Sequence, residues 1–360
     1  MKNIILVTVL TLISIPAIII WLGLGMHGDL DTAGQVEDIV VENYVLEQRQ
    51  RKQFEDTIAA DTDTKQILFG DLHVHTTFSY DAFIQNLPLL GGSGAHSPSD
   101  ACDFARYCSS LDFWGSTEHA EDLTPHHWRE LRKSIKQCNA VADPKNPDVV
   151  AFMGWEWSQA GNTPATHYGH KNVILKDPIG PGTPNRPIAS VRAGSGIEKP
   201  TQAMLALLSY KEDEPRYLDW ARYIYESAIT ECAPNLPADV GAADCREYAA
   251  TPKELFAKLD KWDQEALVIP HGTSWGIYTP PGSNWQKQLS GHDPEREKLI
   301  EIFSGHGNTE DYFNNAAITF DNDGQSICPM PTLEYTPSCY RAGQIVYSRC
   351  ISSGLKDNQC

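Results

Sequence analysis

Positive charge is scarce in this chain. Lysine and arginine number 29 against 47 aspartates and glutamates, a formal charge of −18. So acidic a chain lacks the basic footprint that a stable nucleic-acid partner requires. No two of the nine cysteines stand three residues apart, which excludes the CxxC signature of a thiolate zinc site. A Walker-type phosphate loop is missing as well. "GGSGAH", residues 91–96, has the glycines but neither the lysine nor the spacing, and reads as a flexible surface loop. No tandem repeat is present, and no lipobox-type cysteine follows the apolar start of the chain.

That start is the first positive feature. Ile4 to Gly25 is a run of 22 residues without a charge, long enough to cross a bilayer core. Gly23 and Gly25 supply small residues near a candidate cleavage point. Residues 1–25 are therefore expected to be a signal peptide or a membrane anchor. The protein is expected to be exported, periplasmic or extracellular, and to meet the membrane through this segment if it stays uncleaved. Residues 26–65 are polar and acidic, with a helix expected near 36–58, and read as a stalk. The folded domain is expected over 66–360.

An exported chain rich in cysteine is expected to carry disulfides. Cys339 and Cys350, on one helix, would lie about 16 Å apart and cannot bond each other. Cys102 and Cys108 share a helix but face different sides. Cys108 with Cys138 is a reasonable pair, as is Cys232 with Cys245 across an irregular loop. An odd count leaves at least one unpaired.

From Gln66 onward strand and helix patterns alternate. "SPSDACDFARYC" offers Ser97 as cap and Pro98 at the first helical position, and Thr124–Pro125 repeats the device. Thr251 and Glu254 have capping-box spacing, and Thr336–Pro337 opens a last helix that Gly354 stops. Residues 177–250 are rich in Pro, Gly and Ala and read as an insertion. Repeated strand–helix units imply an α/β fold with a mainly parallel sheet or barrel.

Within that pattern, five strands end in a potential metal ligand. "DLHVH" gives His73 and His75, "GSTEH" gives His119, "MGWE" gives Glu156, "VIPH" gives His271 and "FSGH" gives His306. Side chains two apart on a strand share a face, which suits His73 and His75 to one metal or to adjacent ones. In parallel α/β architectures the C-terminal strand ends gather at one face, so residues far apart in sequence converge there. Asp81 could bridge or complete a metal. Imidazole and carboxylate suit zinc, manganese or iron. Two or three such ions can clamp a phosphate-like group and turn bound water into the nucleophile near neutral pH, so no serine or cysteine nucleophile is required.

The same stretches resemble a known family. "GDLHVHT", "SYDA", "STEH", "GWEWS" and "PHG" resemble the polymerase-and-histidinol-phosphatase (PHP) superfamily of metal-dependent phosphoesterases. "GDLHVHTTFSYDAF", "SDACDFARYCSSLDFWGSTEHAEDLTPHHW", "CNA", "GHKNVI" and "FSGHGNTE" look like its exported branch, catalogued as domain of unknown function 3604. The likeness covers about residues 66–356. It implies a distorted (β/α)7 barrel with up to three metals. It places His73, His75, Asp81, His119 and Glu156 at ligand positions, with His271 and His306 at two further ones. Glu118, just before His119, where many members have aspartate, is expected to be a supporting residue. His167 and His170, after the Glu156 strand, are expected to support the ligands or to be structural. The family pattern closes with an Asp-x-His strand after a helix like "YRAGQIVYSRCISSGL". No histidine follows His306, so the barrel is expected to be incomplete at its C-terminus and the chain to be a truncated form.

The function expected is a metal-dependent hydrolase of small phosphate esters. Hydrolysis of another ester or an amide, and a non-catalytic envelope role, stand as alternatives, because fold does not decide the bond cleaved. Trp155, Trp157, Trp275 and Trp285 lie near the expected strand ends and could stack on a sugar or base.

Overall fold

The structure is a computed structural model. It describes residues 13–18, 21, 29, 32–37, 67–85, 96–142, 147–177, 180, 182–191, 216–227, 229–233, 235–239, 245–273, 279–280, 283, 285–304, 307–308, 319–333, 336–352 and 354–359. Most of the expected signal or anchor segment and most of the expected stalk lie outside these residues. Among the described residues, no helix is long and apolar enough to cross a membrane.

The fold is mixed α/β, built on a curled, half-barrel sheet of five strands in the order β1-β2-β3-β4-β8. These strands are Gly70–Val74, Phe113–Ser116, Val150–Gln159, Gly169–Leu175 and Ala266–His271. The pairs β1–β2 and β2–β3 are parallel, with Phe113 opposite both Gly70 and Val150. The chain divides into two compact units, residues 1–158 with 172–268, and residues 159–171 with 269–360; β3, β4 and β8 contribute to both. In the stretch expected as an insertion, β5 (Ile188–Ala189), β6 (Thr230–Glu231) and β7 (Cys245–Tyr248) form a small parallel sheet in the order β5-β7-β6.

The helices start where their caps direct. Ser97 and Asp100 close a full capping box on α2 (Pro98–Asp103), after α1 (Tyr80–Gln85). Thr124 accepts from His127 N–H at the head of α3 (Pro125–Val141). At α5 (Pro252–Lys261), which follows α4 (Arg216–Glu226), Thr251 accepts from Glu254 N–H. The Glu254 carboxylate turns back to Ala250 N–H, one residue earlier than a capping box requires. The later helices are α6 (Gln286–Ser290) and α7 (Ser338–Ser352), with Gly354 at φ +87° just past the end of α7. A positive φ there suits glycine.

The core of the first unit is aromatic. Trp114, Trp128, Trp155 and Trp157 are buried, with Leu131, Ile135 and Met153. A Cβ on Gly154 would lie 2.4 Å from the Val173 carbonyl, so only glycine lets β3 and β4 approach at this point. Asn139 of α3 donates to the Ala151 carbonyl and accepts from its N–H, at 2.9 and 2.8 Å, tying helix to strand.

The disulfides correct one sequence expectation. Cys102, not Cys108, bonds Cys138; Cys232 bonds Cys245 as expected, and Cys328 bonds Cys339. Cys350 is disulfide-bonded as well. Cys102 lies on the buried face of its helix with Ala105 and Arg106, whereas Cys108 ends the π-helical turn Phe104–Cys108 as an exposed free thiol. These bridges are consistent with an exported protein in an oxidising compartment.

Candidate metal centre

Strand periodicity places His73 and His75 on one face at the end of β1, and their Nε2 atoms come within 3.0 Å. Beyond β2, the chain continues alongside β3, so that His119 bridges Glu156 in parallel register. Glu156 N–H donates to the Glu118 carbonyl, and Ala120 N–H donates to the Glu156 carbonyl, each at 2.9 Å. This local pairing carries His119 to the His73–His75 face.

Glu156 is fully buried. Its Oε2 lies 2.9 Å from His75 Nε2 and 3.2 Å from His73 Nε2. The three atoms mark a nearly equilateral triangle. Ligands about 2.0–2.1 Å from a zinc-sized ion, at angles of about 90–109°, stand roughly 2.9–3.4 Å apart. The triangle therefore fits one face of a divalent ion's coordination shell.

Asp81, in the first turn of α1, extends the cluster. Its Oδ2 is 3.4 Å from His119 Nε2, and the rings of His75 and His119 are 4.7 Å apart. His73, His75 and Glu156 form one group that could hold a metal ion, and His75, Asp81 and His119 form another.

The charges around His119 favour a cation. Burial alone would push its imidazole pKa down, but the Glu156 charge, the Asp81 hydrogen bond and Asp122 together raise it well above the ordinary value. Burial likewise opposes ionisation of Asp81, yet the His119 hydrogen bond and charge, with His75, hold its carboxyl below the usual range. Asp122 behaves oppositely: burial pushes it up to about 7 against the pull of His119.

Glu118 binds the chain around the cluster. Its buried carboxylate accepts from Thr76 N–H (2.9 Å), Thr76 Oγ1 (2.6 Å), Ser79 Oγ (3.0 Å) and Ser116 Oγ (3.1 Å). Four donors leave it no lone pair to spare for a ligand, and they fasten the loop after β1 to β2.

Sequence reasoning passed over two serines. Ser79 Oγ lies 2.8 Å from His75 Nδ1, and Ser158 Oγ lies 2.6 Å from His119 Nδ1. The signal was present in the chain, because Ser158 follows Glu156 by two on a strand and must share its face.

The other expected ligands belong to the second unit or beyond. His271 is buried at the end of β8, its ring stacked on His170 at 5.4 Å and its Nδ1 3.9 Å from Glu301 Oε2. His167 Nε2 donates to the Gly272 carbonyl at 3.1 Å, a structural bond. His306 lies outside the described residues. Strand β9 (Phe303–Ser304), which precedes it, pairs antiparallel with β10 (Gly307–Asn308) in a separate sheet instead of joining the five. The aromatic stacking expected of Trp155 and Trp157 is overturned. Both are fully buried, Trp155 edge-on to Trp128 at 6.0 Å and Trp157 donating from Nε1 to the Ala249 carbonyl.

No family model, no curated protein and no solved structure matches the chain.

Proposed function

We propose that the chain is an exported, metal-dependent hydrolase of small phosphate esters, holding two or three divalent ions of zinc, manganese or iron on a distorted (β/α)7 barrel scaffold. The observation that carries this reading is the triangle of His73 Nε2, His75 Nε2 and Glu156 Oε2, with sides of 2.9–3.2 Å. With a lone pair on each of the three, atoms packed so closely repel one another unless positive charge lies among them. Imidazole and carboxylate donors without thiolate suit those ions.

A divalent ion bound there supplies Lewis-acid polarisation of a phosphoryl oxygen and activation of water. The chain's own residues supply the rest. His73, His75 and Glu156 present lone pairs to one point, and Asp81 with His119 extends the acceptor set to a second. Glu118 holds the loop that carries His75 and Asp81 in register with β2.

The test is elemental analysis of the purified protein, followed by a substrate panel of phosphomonoesters, phosphodiesters, sulfate esters and amides. Bound divalent metal with phosphate-ester turnover supports the reading. Turnover of sulfate esters or amides alone would change the bond cleaved, and a folded chain without metal would favour a non-catalytic envelope role.

A further inference from the structure

Two hydroxyls stand behind the cluster in the same relation to two different histidines. Ser79 Oγ touches His75 Nδ1, the Glu118 carboxylate and His119 N–H, at 2.8, 3.0 and 2.9 Å. Ser158 Oγ touches His119 Nδ1 and Glu156 Oε1, at 2.6 and 3.0 Å. Each arm runs histidine, serine, glutamate. We infer that Ser79 and Ser158 are positioning residues that fix His75 and His119 as Nε2 ligands, an inference that rests on the metal-site reading above.

A serine hydroxyl has a single proton to donate and two lone pairs with which to accept. Ser79 gives its proton to Glu118, since an ionised carboxylate only accepts. The Ser79 oxygen must then accept from both His119 N–H and His75 Nδ1–H. With its proton on Nδ1, a neutral His75 carries a lone pair on Nε2, the atom that faces Glu156 and His73. The Ser158 proton goes to Glu156 Oε1 by the same logic, so His119 Nδ1–H donates to Ser158 and its Nε2 is the atom directed at Asp81. Groups that hold the far nitrogen of a ligating histidine set both its tautomer and its ring orientation.

The arms differ in what stands at their ends. Glu118 is satisfied by four donors and anchors the His75 arm to the fold alone. Glu156 is itself part of the triangle: Oε1 receives Ser158 while Oε2 faces His73 and His75. Loss of Ser158 should therefore disturb His119 and Glu156 together, whereas loss of Ser79 should act on His75 and the backbone beside His119.

The experiment combines nitrogen-15 NMR of the histidines with titration of the chelator-stripped full chain by zinc. In the wild type, His75 is expected as the Nδ1–H tautomer, the rarer form of free histidine. Ser79→Ala should release it to the Nε2–H form and weaken zinc binding by about 10- to 100-fold. Ser158→Ala should weaken zinc by a similar factor and move the His119 resonances, leaving the His75 tautomer unchanged. A folded wild type with His75 as Nε2–H would overturn the inference, as would Ser79→Ala with zinc affinity and tautomer both unmoved. If Ser79→Ala does not fold, the wild-type spectrum alone decides. If the wild type takes no zinc, the metal reading fails, and the His75 tautomer still tests the Ser79 arm separately.

Discussion

His75 Nε2 stands 2.9 Å from Glu156 Oε2, across the sheet from the end of β1 to β3. With the His75 proton on Nδ1, both atoms are acceptors, and they repel across this distance unless a cation lies between them. Replacing His75 with alanine removes one corner of the triangle without touching the core. The expected loss of metal affinity exceeds the roughly 10- to 100-fold cost of losing an outer hydrogen-bond partner, and any hydrolysis should fall with it. Elemental analysis beside activity checks this; unchanged metal content in a folded His75→Ala protein would remove His75 from the site.

Glu118 gives a stability prediction that can be measured on the metal-free chain. Glu118→Ala leaves Thr76 N–H and three hydroxyls without their acceptor. Each unmet buried group costs about 1–3 kcal/mol, although hydroxyls can turn to other partners. A loss of about 3 kcal/mol or more is expected by urea unfolding. Glu118→Gln should lose less, because the hydroxyls of Thr76 and Ser116 can rotate to accept from the amide.

Much of this site is written in the local pattern of the chain. His73 and His75 follow from strand periodicity, and His119 and Glu156 follow from parallel strands ending on one face. The caps at Ser97 and Thr124 follow from side-chain chemistry one turn long. What was not legible depends on which side of an element faces inward. Six-residue spacing separates the faces of Cys102 and Cys108, but only the packing against α3 shows that Cys102 is the inner one. Trp155 and Trp157 stand beside ligand positions in sequence and yet point into the core. Ser79 and Ser158 become meaningful only once the orientation of two imidazole rings is known.

His127 makes stability depend on acid. It is buried on α3, its ring stacked on Phe78 at 4.2 Å and on Tyr223 at 5.4 Å. Burial, with a smaller push from His126, lowers its pKa from 6.5 to about 3. Above pH 6.5 the neutral ring is equally unprotonated in both states and its contribution is fully present. Below that, the unfolded chain takes up a proton that the native state refuses. Stability should then fall by about 1.4 kcal/mol per pH unit until the folded pKa is reached. His127→Phe keeps the stacking and should lose about 2 kcal/mol less stability than the wild type between pH 6.5 and pH 5. An identical slope in the variant would contradict the assignment.

The Cys102–Cys138 bridge closes a loop with a sequence separation of 36. Loop-closure entropy for that length puts its contribution at about 3–4 kcal/mol. The double variant Cys102→Ala/Cys138→Ala should lose stability on that scale in urea, whereas alkylation of Cys108 in the folded, unreduced protein should change nothing. A Cys108–Cys138 linkage in a peptide map would reverse both expectations.

The central claim is that His73, His75 and Glu156 enclose a divalent cation, and one titration tests it most directly. The chelator-stripped chain is titrated with zinc and manganese at equilibrium, and bound metal per chain is read by elemental analysis, with Glu156→Gln as control. At least one tightly held ion per folded chain is predicted, lost or greatly weakened in Glu156→Gln. A folded wild-type chain that binds neither ion, or a variant that binds them equally well, would contradict the account.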